Sequence, residues 1–199
     1  WTLLTLAMLL AGVGAYGYWR VSQTVTSYAG AHFNQGHNAV WLEHTWVGVQ
    51  HSEADYDALA NQLEREQVAY VFAHVGPLAS DGSIPDTLAP FARAFADAMH
   101  TRLPNLKVLA WVGQIEASSG LPSDEVVNLD DSTVRATIAT TAARFVQKDD
   151  FDGVHYDIEP IRNNNPRFID LLIATRALLP SGAMISVSAQ KWAPNAHVA

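Results

Sequence analysis

The sequence predicts an α/β fold built on a parallel sheet, namely the first five strands and four helices of a (β/α)8 TIM barrel. Three observations point there. From Ala39 onward, short runs rich in Val, Ile, Trp, Tyr and Phe alternate with longer segments whose apolar residues recur at helical spacing. Gly, Pro, Asn and Asp cluster at the junctions, where turns are needed. Each strand-helix unit takes about 30 to 40 residues, and a complete barrel takes about 250, so the 199 residues supply the first half and a little more. An open doubly wound parallel sheet is the alternative, for which five strands suffice.

The first strand is predicted over Ala39 to Val47 (AVWLEHTWV), and Ser52 with Asp55 three residues on caps the helix that follows, with Tyr56, Leu59 and Leu63 as its apolar stripe. The second strand is Val68 to Val75, followed by a long loop carrying Gly76-Pro77 and Asp81-Gly82. A second helix runs from Thr87 to Leu103 with Leu88, Phe91, Phe95 and Met99 on one face, and Pro104-Asn105 stops it. Lys107 to Gly113 is the third strand, and Ser132 to Gln147 the third helix, striped by Val134, Ile138, Ala142 and Phe145. The fourth strand lies within Phe151 to Glu159. Asn165-Pro166 then reads as an N-cap with Pro in the first turn, opening a helix to Leu179. Met184 to Lys191 is the fifth strand, in which Ser186, Ser188 and Gln190 alternate with Ile185, Val187 and Ala189.

Ahead of this domain, assigned to residues 39–199, the chain is of another kind. Trp1 to Trp19 is uncharged, and nineteen residues of helix span about 28 Å, close to the hydrocarbon thickness of a bilayer. Residues 1–20 are therefore expected to be a transmembrane or signal-anchor segment that holds the domain on the extracytoplasmic side of a membrane. Cleavage near Val13-Gly14-Ala15 would instead release it as a secreted protein. Residues 21–38, rich in Ser, Thr, Gly, Asn and Gln, read as a linker. The chain starts without Met, which suggests a fragment.

Composition narrows the partners. Twenty acidic against twelve basic side chains give a formal charge of −8, and no Lys/Arg run offsets it, so nucleic acid is a poor partner. With no cysteine there is neither a disulfide framework nor a thiolate metal site.

The stretch FDGVHYDIEP, Phe151 to Pro160, carries the chemistry. Alternation along a strand puts His155, Asp157 and Glu159 on one face, successive members about 6 to 7 Å apart, and Val154, Tyr156 and Ile158 on the other. Three ionisable groups on one face of a buried strand are costly unless paired or functional. The stretch resembles the active-site strand of glycoside hydrolase family 18, the chitinase-like enzymes, whose pattern is D-x-x-D-x-D-x-E. Asp152, Gly153, Val154, Asp157, Ile158 and Glu159 fit it. His155 stands where the family has an acidic residue, and Trp111-Val112-Gly113-Gln114 stands where Ser-x-Gly-Gly is common.

The resemblance implies the barrel fold, with this strand as its fourth, and a glycosidase acting on β-linked amino-sugar polysaccharide, chitin-like or peptidoglycan-like, without a cofactor. It implies that Glu159 is the general acid and that Asp157 orients the substrate's own N-acetyl group for attack. The family's acid at the place of His155 can share a proton with the carboxylate that Asp157 matches. An imidazole beside Asp157 is expected to hydrogen-bond to it and to alter the pH optimum or the substrate. Asp152, off this face, has a structural role.

In a barrel, functional groups gather at the C-terminal ends of the strands. The further candidates for substrate contact are therefore Glu43, His44 and Trp46 at the end of strand one, His74 on strand two, Trp111 and Gln114 on strand three, and Gln190 and Trp192 on strand five. Each aromatic among them has core packing as its ordinary alternative. Two other functions fit the same residues less well. One is a sugar-binding barrel without catalysis, which needs no acid at position 159. The other is a hydrolase whose divalent metal is held by His74, His155, Asp157 and Glu43, for which no short His spacing speaks.

Overall fold

The structure is a computed structural model and describes residues 11–19, 36–117, 122, 126–162 and 164–188. The chain divides into two compact units, Trp1–His37 and Asn38–Ala199. In the first, residues 11–19 are helical (α1) and solvent-exposed. Among the described residues no helix is long and apolar enough to cross a membrane. The expected anchor rests in good part on residues 1–10, and the expected linker mostly on residues 20–35, both outside the described residues.

The second unit is a five-stranded, wholly parallel sheet of β1 (Asn38–Leu42), β2 (Val68–Pro77), β3 (Lys107–Ile115), β4 (Gly153–Glu159) and β5 (Met184–Val187). A four-residue helix α2 (Thr45–Gly48) and then α3 (Glu53–Arg65) join β1 to β2. Helices α4 (Ala92–Arg102), α5 (Ser132–Lys148) and α6 (Pro166–Leu178) make the later crossovers. The spatial order β1-β2-β3-β4-β5 never reverses. A doubly wound sheet reverses its order at a switch point, whereas a barrel adds strands in sequence.

Curvature gives the same answer. In a flat sheet β1 and β4 would lie three strand spacings, about 14 Å, apart. Here the Trp41 indole of β1 donates to the His155 ring of β4 at 3.3 Å, so the sheet is curled and inward-pointing side chains converge across two intervening strands. The open-sheet alternative is set aside.

The strand pleat sorts the two faces. Val71, Ala73 and Val75 of β2, Val108, Ala110 and Val112 of β3, and Val154, Tyr156 and Ile158 of β4 are buried in the core shared with the helices. The helices meet them with Tyr56, Leu59 and Leu63 of α3, Phe95 and Met99 of α4, Ile138, Ala142 and Phe145 of α5, and Leu171 of α6. Burial pushes the Tyr156 phenol above its ordinary pKa, and its hydroxyl pairs with that of Thr175 at 2.7 Å. The opposite face carries Trp41, Phe72, His74, Leu109, Trp111, His155, Asp157 and Ser186.

Several expected boundaries move. The first strand ends at Leu42, and Trp46 and Val47 belong to α2, where the fully buried Val47 enters the core and its carbonyl accepts from Phe91 N at 2.9 Å. An apolar run is compatible with either state, and here one turn of helix buries it. The second helix starts at Ala92, because Pro90 disfavours helix at the residue before it. The fifth strand ends at Val187, short of the expected Lys191, and residues 189–191 lie outside the described residues; the remaining elements lie where the sequence puts them. Ser52 makes the expected capping box with Asp55, its hydroxyl accepting from Asp55 N and the Asp55 carboxylate from Ser52 N.

Two residues at the start of β4 fix its place. Asp152 accepts from Lys107 Nζ at 2.7 Å, His100 Nε2 at 2.8 Å and Val108 N at 2.9 Å, joining β4 to β3 and α4. Burial pushes its carboxyl up, but these three donors outweigh burial and hold its pKa below the ordinary value. Its contribution is thus present above the unfolded carboxylate range and is lost as pH falls through the lower folded value. Asp152→Ala is expected to cost about 2 kcal/mol at neutral pH, measured by urea unfolding, since it strands the buried Val108 amide and takes the shared acceptor from Lys107 and His100. Gly153 serves β5: a Cβ there would lie 2.3 Å from the Met184 carbonyl oxygen, so only glycine permits this pairing.

Candidate active site

The site forms where the inward side chains of β4 meet those of its neighbours. His155 is almost wholly buried and lies flat on Phe72, ring centroids 4.1 Å apart and planes at 11°. Its Nδ1 lies 3.0 Å from Ser186 Oγ, while its Nε2 faces Trp41 Nε1 and Ser188 Oγ, each at 3.3 Å. An indole N–H only donates, so Nε2 must be the accepting nitrogen and the ring proton sits on Nδ1, donating to Ser186. The imidazole is neutral. Burial drives its pKa down from 6.5 to about 4, against the opposing pull of the Asp157 charge.

The expected bond from His155 along its own strand to Asp157 is therefore replaced. His155 spends both nitrogens on β1 and β5, and the Asp157 carboxylate instead accepts from Trp111 Nε1 at 3.0 Å. Behind Trp111 stands His74, centroids 4.5 Å apart, and behind that His44, whose Nδ1 reaches the His74 carbonyl at 3.0 Å. Burial, with His44 nearby, holds the His74 pKa below its ordinary value, while the Asp157 charge opposes them. A row of rings thus runs from the turn after β1 through β2 and β3 and ends on the carboxylate of β4.

Glu159 is the last residue of β4 and is solvent-exposed. Its carbonyl accepts from Glu116 N at 2.9 Å, extending the pairing with β3 to the C-terminal rim of the sheet. Alternation puts its side chain on the face of Asp157, one step nearer that rim. At that rim an acid is open to a substrate arriving from solvent.

The structure brings His155, Asp157, Glu159, His74 and Trp111 onto one face. It places others elsewhere. Trp46 stacks on His51 at 4.4 Å and packs near Tyr56 and Phe95, under the helices. Gln114 donates to the Leu78 carbonyl at 2.6 Å and accepts from Ile115 N at 2.8 Å, so its amide braces the loop after β2. Glu43 is exposed at the end of β1. Gln190 and Trp192 lie outside the described residues. Among the described residues no group of three His, Cys, Asp or Glu could hold a metal, and His74, His155, Asp157 and Glu43 do not gather into one.

Trp41, Phe72, Ser186 and Ser188 were not singled out, although they surround His155. The signal for them was available: each shares the inward parity of its strand, and in-register neighbours such as Trp111 and Ser186 flank His155 on either side.

No protein-family model matches the chain, and no curated protein matches its sequence. Solved structures do match its fold. A chitinase from Bacteroides thetaiotaomicron superposes with a TM-score of 0.53 at 15% identity, over 76% of this chain and 45% of that one. The Bacillus cereus spore cortex-lytic enzyme SleL gives 0.54 at 15% identity, over 76% and 34%. A GH18 chitinase mutant from Cycas revoluta, in complex with (GlcNAc)4, gives 0.55 at 11% identity, over 76% and 45%. The chain thus has the α/β fold of part of the chitinase barrel and spans less than half the length of these proteins.

Proposed function

We propose that this chain carries the acid-bearing part of a glycoside hydrolase that cleaves β-linked amino-sugar polysaccharide, chitin-like or peptidoglycan-like. The observation that supports this best is the pairing of Asp157 and Glu159 on the inward face of β4, with Glu159 exposed at its C-terminal rim. Glu159 donates its proton to the glycosidic oxygen as the bond to the anomeric carbon breaks. The carbonyl oxygen of the sugar's N-acetyl group attacks that carbon and forms an oxazolinium ion. Asp157 accepts the amide N–H, orients the group and offsets its positive charge. Water, deprotonated by Glu159, then opens the ring and returns the proton. The bound tetrasaccharide in the Cycas revoluta enzyme and the cortex-lytic activity named for SleL support the two substrate classes.

The test is release of reducing ends from chitin oligosaccharides and from purified peptidoglycan by the intact natural polypeptide. Hydrolysis of either is expected. Tight binding with no turnover of both would replace the enzyme by a sugar-binding barrel.

A further inference from the structure

We propose that Trp111 is a positioning residue, whose indole N–H fixes the orientation of Asp157. This rests on the role given to Asp157 above. In the β3–β4 register Trp111 lies opposite His155, and Asp157 lies opposite Gly113. The indole must therefore lean along the strand, by two residues, to reach the carboxylate, and it does so with Nε1 at 3.0 Å from Oδ2.

Two neighbours make that lean possible. Gly113 is the residue over which the indole passes, and a Cβ there would sit 3.3 Å from Trp111 Nε1 and 3.7 Å from the Asp157 Cβ. The first distance is tight and the second an ordinary contact, so a side chain there would press on the indole nitrogen. His74 closes the other side of the ring at 4.5 Å, itself steadied through its carbonyl by His44. The indole is thereby confined between a glycine gap and an imidazole wall, with its one polar atom on the carboxylate.

The chemical consequence follows from the donor. An indole N–H can donate but cannot accept or exchange a proton in this range, so it orients Asp157 without competing for its charge. It occupies Oδ2 and leaves Oδ1 for the amide N–H of a substrate. His155 cannot take this part, because its nitrogens are engaged by Ser186, Trp41 and Ser188. Trp111 is thus a fixed brace on the carboxylate, where the sequence suggested a contact with substrate.

Two measurements on the intact natural polypeptide test this. In nitrogen-15 spectra, the Trp111 indole resonance, assigned by its loss in Trp111→Phe, is expected to lie downfield and to move upfield in Asp157→Ala. An unmoved resonance would overturn the pairing whether or not the protein hydrolyses sugar. In kinetics, Trp111→Phe keeps the ring against His74 but removes the donor. A fall in kcat of up to about 10²-fold with KM nearly unchanged is expected, as for a reacting group misplaced by a fraction of an ångström. A rise in KM at constant kcat would mean that Trp111 is a stacking platform and would overturn the proposal. Absence of wild-type hydrolysis would count against the glycosidase, and the spectrum alone would then decide on the brace.

Discussion

Glu159→Gln is expected to lower kcat by about 10²- to 10⁴-fold, the usual contribution of a general acid, while leaving KM and the melting temperature close to the parent values. Gln keeps the volume and can still hydrogen-bond to a glycosidic oxygen, but it has no proton to give. The fold should be indifferent, because the side chain is exposed at the end of β4 and the backbone contact it leaves behind, Glu116 N to the carbonyl of residue 159, does not depend on side-chain identity. Asp157→Asn should be damaging as well on N-acetylated substrates and milder on sugars lacking the amide, since there it has nothing to orient. Parallel assays of reducing-end release on the intact natural polypeptide check both. Parent-level turnover by the Gln variant would remove Glu159 as the acid.

Much of this architecture was legible because the physical signals are local. Two periods, 2 for strands and 3.6 for helices, place the elements from residue 39 onward, and the ordinal place of β4 follows from counting them. The failures also have local causes. Trp46 sits in an apolar run that period alone cannot assign, so it reads as a substrate contact at a strand end when it is part of a helical turn packed on His51 and Phe95. Gln114 stood at the right end of the right strand, but its amide is consumed by backbone groups that no spacing rule reveals.

The fate of His155 was harder to read, because it depends on curvature. Its partners come from β1 and β5, and only a curled sheet brings Trp41 within hydrogen-bonding reach of β4. A reading confined to one strand naturally paired His155 with Asp157, its neighbour at i+2. What decided otherwise was a competition among partners: the Trp111 indole donates to the carboxylate, while Ser186 accepts from the imidazole and Trp41 and Ser188 face its other nitrogen. Long-range side-chain pairing of this kind is set by how strands close around an axis, which the sequence of any one strand does not encode.

That environment makes His155 an acid-labile element of the fold. Its pKa is about 4 in the folded protein against 6.5 when unfolded, so between those values the unfolded chain binds a proton that the native ring refuses. Stability should therefore rise with pH through this window and be lost as pH falls from 6.5 toward 4, by about 3 kcal/mol in all, with no further loss from this group below the lower value. The cause is specific: a proton on Nε2 would point at the N–H of Trp41, in a pocket closed by Phe72. The Asp157 charge works the other way, raising the pKa, but does not overcome burial. His155→Gln retains a donor and an acceptor without a titrating group, so it should be less stable than the parent at pH 7 yet lose less on acidification. Urea unfolding of both proteins at pH 7 and pH 4 isolates the difference, because the other titratable side chains are the same in each. Parallel losses would mean that the imidazole accepts its proton inside the folded sheet.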